Sequence, residues 1–141
     1  MKALKPLFFV FVLLVLFATK SESYAQQYPI LYFCEVYGDN GEVGVSDRFT
    51  TGYLTVMVKA DGPLGLRDCS IQLDKYDRTT GKFSYYKKFP YAVSPDMKYV
   101  YFAKNEESDM NFEDPGIYRV FLLDQNDRTV ANGLVEIISK Y

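Results

Sequence analysis

Histidine is absent from the 141 residues, and with it go the usual general base near neutral pH and the commonest transition-metal ligand. Ser/His/Asp and Cys/His arrangements are therefore excluded. The serines sit in no Gly-x-Ser-x-Gly or Ser-x-x-Lys context, and no glycine-rich loop is spaced to cradle a phosphate. Carboxylates do cluster, at Glu106, Glu107, Asp109, Glu113 and Asp114 and again at Asp39, Glu42 and Asp47. Calcium is the ion such groups could hold, since it takes six to eight oxygens. Neither group has the alternating acidic spacing and glycine of an EF-hand loop, so solvated acidic loops are the expectation. The chain reads as a non-enzyme with no cofactor and no metal site, an enzyme of unrecognised type being the last alternative after a carbohydrate-binding module.

Aromatic chemistry is better represented. The sequence has 13 tyrosines and 11 phenylalanines but no tryptophan. Much of this suits strands and cores. Tyr85, Tyr86, Phe89 and Tyr91 form the densest aromatic segment, and if exposed they could stack on a sugar, so a glycan is a possible ligand. Two cysteines, Cys34 and Cys69, complete the reactive inventory.

The compartment decides what those thiols do. Lys2 and Lys5 precede an apolar block from Leu7 to Ala18, followed by Ser23-Tyr24-Ala25. A basic segment, an apolar core and a small-x-small end are the parts of an export signal, and the block is shorter than the roughly 20 residues that span a bilayer. Residues 1–25 are thus expected to be a cleaved signal peptide, with no membrane span afterwards and a secreted or periplasmic location. Residues 26–141 then form one domain carrying 13 basic and 17 acidic side chains. That mild acidity favours solubility and argues against a nucleic-acid partner. In an oxidising compartment a Cys34–Cys69 disulfide is the default, contributing roughly 3–4 kcal/mol on the loop-entropy account; two buried free thiols are the alternative.

The elements that would position these groups are strands. Ile30 to Tyr37 stops at a turn containing Asn40-Gly41, and Val43 to Val45 is a short return. Gly52 to Lys59 alternates, with Leu54, Val56 and Val58 on one side. Cys69 to Tyr76 puts Cys69, Ile71 and Leu73 together, and Cys34 by the same parity shares a side with Ile30 and Val36. Lys82 to Phe89, rich in lysine and followed by Pro90, has the pattern of an edge strand. Lys98 to Ala103 is a further strand and Asn105 to Pro115 an acidic loop. Ile117 to Asp124 and Thr129 to Ile138 make a final pair around Gln125-Asn126-Asp127. No gap has a helical period, so the pairing is expected to be antiparallel. The class is all-β, a single sandwich of about seven to eight strands.

One stretch sharpens this. Asp114-Pro115-Gly116-Ile117-Tyr118 resembles the Asp-x-Gly-x-Tyr tyrosine corner of the immunoglobulin-like superfamily, in which the tyrosine hydroxyl bonds back to upstream backbone. The resemblance implies an immunoglobulin-like sandwich with Tyr118 at the start of its F strand. Antibody domains add a cysteine two residues after that tyrosine, a partner cysteine in strand B and a tryptophan in strand C. Here Val120 stands at the first position, Gly52 to Lys59 has no cysteine, and tryptophan is missing. Within that frame Cys34 and Cys69 fall in opposite sheets, where a bridge would cross the core.

The tyrosine corner also implies an outer face. With Tyr118, Val120 and Leu122 turned inward, Arg119, Phe121 and Leu123 project outward, with Tyr76 on the neighbouring strand and Leu134 on the last. Tyr, Phe, Leu and Arg on an exposed sheet have the composition of a protein contact patch; cover by the Lys82 to Phe89 strand is the alternative. The function expected is that of a non-catalytic exported interaction or structural module with a protein partner.

Overall fold

The computed structural model describes residues 28–103 and 110–141. Residues 1–25, expected to be a signal peptide, therefore lie outside the described residues, as do Glu106, Glu107 and Asp109. Within them the chain is all strand and turn, and no helix is long and apolar enough to cross a membrane.

Two sheets carry the architecture. The smaller joins β1 (Ile30–Cys34), β6 (Thr55–Lys59) and β9 (Tyr99–Phe102) in the order β1-β6-β9, all antiparallel. The larger runs β4-β12-β11-β7-β8, from β4 (Arg48–Thr50) through β12 (Thr129–Ile138), β11 (Gly116–Leu123) and β7 (Asp68–Asp77) to β8 (Lys82–Ala92). The hairpin of β2 (Val36–Gly38) and β3 (Gly41–Val43), and the pair β5 (Gly52–Tyr53) with β10 (Asn111–Phe112), are minor additions. Leu31, Phe33, Val56, Val58, Val100 and Phe102 from the smaller sheet meet Cys69, Ile71, Leu73, Tyr118, Val120, Leu122, Val135 and Ile137 from the larger in one apolar cluster. That arrangement is compatible with a β-sandwich.

Strict alternation explains why β6 turns Val56 and Val58 inward and β7 turns Cys69, Ile71 and Leu73 inward; β11 has apolar residues in both phases, and there Tyr118, Val120 and Leu122 are the ones in the core. Tyr118 also behaves as its motif requires. Its ring is buried, and its hydroxyl donates to the Asp114 carbonyl at 2.7 Å. Gly116 two residues earlier has φ +155°, and a Cβ there would come 3.0 Å from Lys75 Cε, so the corner needs glycine.

Several expectations are corrected. There are twelve strands among the described residues rather than seven or eight, because the early segments break up. Ile30 to Tyr37 divides at Glu35, whose amide donates to the Val43 carbonyl at 3.0 Å. Gly52 to Lys59 divides at Leu54, and the acidic loop contains β10, with Met110 and Phe112 buried. The pairing is not wholly antiparallel either. Short β4 runs parallel to β12, anchored by the Glu136 amide on the Asp47 carbonyl at 2.8 Å and an Arg48–Glu136 ion pair at 3.1 Å.

The first strand's parity is the reverse of the expected one. Leu31 and Phe33 enter the core, whereas Ile30 and Val36 are exposed. Cys34 is buried, but on the outer face of the smaller sheet beneath the β2–β3 hairpin, with its thiol 3.5 Å from the Val36 carbonyl. Cys69 sits inside the main core. Both are free thiols: the three-stranded sheet stands between them, so no bridge crosses the core.

Candidate interaction surface

The outer face of the five-stranded sheet gathers most of the residues expected there. Arg119 pairs in register with Leu134 of β12 on one side and Asp74 of β7 on the other, and Asp74 pairs with Tyr85 of β8. Phe121 lies between Asn132 and Gln72, and Tyr76 opposite Phe83. The Arg119 guanidinium carbon stands 4.1 Å from the centre of the Phe83 ring and 5.8 Å from that of Phe121, while Phe83 and Tyr76 are tilted against each other at 5.2 Å. Arg119 is thus held over aromatic faces, and none of the ion pairs among the described residues involves it.

Leu134 is 56% exposed and Tyr85 65%. β8 therefore borders the patch and adds Phe83 to it instead of covering it. Leu123 does not belong: it is buried at the strand's end, where the β11–β12 register shifts and Asp124 begins the turn. Strand parity missed Phe83 because a bulge opposite Leu73–Asp74 changes which β8 residues face outward.

That same bulge dissolves the aromatic platform. Tyr86, Phe89 and Tyr91 pack against the core, leaving only Tyr85 of that set fully outward. Tyr86 instead donates to Asp114 Oδ2 at 3.2 Å and meets Tyr118 edge-on at 5.4 Å. With Lys75 Nζ 3.7 Å from Asp114 Oδ2, this carboxylate braces the corner. Burial, then the neighbouring Tyr86 and Asp114, push the Tyr118 hydroxyl above its ordinary pKa.

A second polar cluster, scattered in sequence, lies on the outer face of the smaller sheet. Glu42 on β3 accepts from the Tyr32 hydroxyl and pairs with Lys59 at 3.2 Å. Lys59 Nζ stands 4.7 Å from the Tyr99 ring centre, and Tyr37 stacks on Tyr101 at 4.5 Å. These contacts fasten the hairpin over Cys34. Beside them an open groove of about 790 Å³ is lined by Tyr28, Ile30, Lys59, Ala60, Asp61, Lys98 and Tyr99. Hydrogen bonds from Tyr32 and Tyr99, the Glu42 amide and Lys59 bring the Glu42 carboxyl down to about 2. Burial and the bond to Glu42 push Tyr32 up to about 12. Glu42 is therefore a permanent acceptor near neutral pH, unsuited to proton transfer. It is also committed to this cluster, and among the described residues no three acidic or cysteine side chains gather as metal ligands.

No protein-family model matches the chain, and no curated protein matches it.

The Glu42 fastening has a measurable consequence. A carboxyl lowered in the folded state contributes stability that is complete above the ordinary glutamate range and lost as pH falls towards about 2. An NMR titration should place the Glu42 midpoint near 2. Glu42→Gln should speed alkylation of Cys34 in the folded protein, while Cys69, buried in the core with its thiol pushed up to about 11 mainly by burial, stays protected. Equal protection of both thiols in the variant would show that Glu42 does not hold the hairpin.

Proposed function

We propose that this chain is an exported, non-catalytic immunoglobulin-like module that binds a protein through the outer face of its five-stranded sheet. The single observation that carries the reading is Arg119, held over Phe83 and Phe121 with no ion pair among the described residues, between the exposed Leu134 and Tyr85. A guanidinium set in apolar and aromatic surface suits a partner offering a carboxylate among apolar groups.

The immunoglobulin-like part rests on order and on the corner. The chain visits β1, β6 and β9 in one sheet and β7, β8, β11 and β12 in the other, like the A-B-E and C′-C-F-G strands of that superfamily. The Tyr118–Asp114 bond lies where the tyrosine corner has its own. The export part rests on the Lys2 to Ala25 pattern.

Capture from the native envelope fraction with residues 26–141 as bait, run beside Leu134→Asp, tests the binding reading. The exposed position tolerates aspartate, so the variant should fold as the parent and lose the partner. Retention of the same proteins by both baits would refute a role for this face, and amino-terminal sequencing of the exported protein checks cleavage after Ala25.

A further inference from the structure

Register across the five-stranded sheet places four residues in one row: Leu134 on β12, Arg119 on β11, Asp74 on β7 and Tyr85 on β8. Read from either end the row is apolar, charged, charged, apolar, and its two charges are opposite. A two-fold axis running along the strands between β11 and β7 exchanges β11 with β7 and β12 with β8. It would set Leu134 against Tyr85 of the second copy and Arg119 across from Asp74 of the second copy, twice over. The next row, Asn132, Phe121, Gln72 and Lys88, behaves the same way: Phe121 would meet Gln72 and Asn132 would meet Lys88, with no like charges opposed.

Deepening the reading above, on which it rests, we infer that the partner on this face is a second copy of the chain, joined face to face about that axis. An isologous contact requires self-complementarity, and this row supplies it in both hydrophobicity and charge. Among the described residues Arg119 is in none of the ion pairs, and Asp74 accepts from Gln72 at 2.9 Å. Leu134 and Tyr85 are the two large apolar side chains most exposed on the face. Two sheets stacked with strands nearly aligned is an ordinary packing.

Sedimentation velocity of the mature chain over the micromolar range tests this, with far-ultraviolet circular dichroism confirming the fold of each variant. The parent should dimerise. Arg119→Asp and Asp74→Arg should each weaken the dimer by at least about ten-fold, and the double exchange should restore it, because opposite charges again face across the axis. Leu134→Cys with Tyr85→Cys should form intermolecular disulfides between positions 134 and 85. A parent that stays monomeric, a dimer indifferent to both single exchanges, or a double exchange that remains monomeric overturns the inference. Failure here is distinguishable from failure of the broader reading: a monomer whose capture of another protein is still abolished by Leu134→Asp sinks only the self-pairing.

Discussion

Tyr118→Ala is expected to lower stability by about 3–5 kcal/mol, the range for removing a buried aromatic ring. The ring is fully buried, meets Phe112 edge-on at 5.1 Å and Tyr86 at 5.4 Å, and has Lys75 Nζ 5.6 Å from its centre. It joins β11 to the β10 segment and to the edge strand β8 at once. Domains of this size hold only about 5–15 kcal/mol in total, so the variant should populate unfolded chains at moderate temperature. Tyr118→Phe separates the two contributions. It keeps the ring and removes only the donor to the Asp114 carbonyl, at a cost of about 1 kcal/mol. Denaturant unfolding with an unchanged slope should return these two values in that order. A phenylalanine variant as unstable as the alanine one would mean that the hydroxyl, not the ring, organises the corner.

Gly133→Val should also destabilise, by about 1–3 kcal/mol, through overpacking. Gly133 lies on the core side of β12, in register with Val120, and β1 crosses close above it. A Cβ there would come 3.0 Å from both Leu31 Cδ2 and the Leu31 carbonyl oxygen, and 3.3 Å from Phe33 Cε2. Side chains can turn aside, but the carbonyl moves only with β1. Valine's strand preference and the lower entropy of its unfolded chain pull the other way, by under about 1 kcal/mol. The steric term is larger and sets the sign. A midpoint equal to or above the parent's would show that the two sheets do not approach closely at this point.

Both positions show how far local pattern reaches. Tyr118 is legible because Asp114-Pro115-Gly116-Ile117-Tyr118 runs directly into an apolar strand. Gly133 is not, since nothing in Asn132-Gly133-Leu134 reports that another strand lies over it.

What the sequence alone determined is the strand class and the inward faces of β6 and β7, with Tyr76 on the outer side of β7; the outward placement of Arg119 and Phe121, with Leu134 beside them, followed instead from the resemblance of Asp114 to Tyr118 to a tyrosine corner. A two-residue period with apolar groups in one phase leaves one choice of face. In Ile30 to Val36 both phases are apolar, Leu31 and Phe33 in one and Ile30, Cys34 and Val36 in the other, so alternation had no sign there. Tertiary packing chose Leu31 and Phe33 for the core, and Cys34 went under the hairpin, away from Cys69. The bulge that turned Tyr86 inward, the parallel β4 and the Tyr32–Glu42–Lys59 cluster were likewise decided by packing. Their members lie too far apart along the chain for any local pattern to link them, and only the stacking of sheets and hairpin brings them within reach.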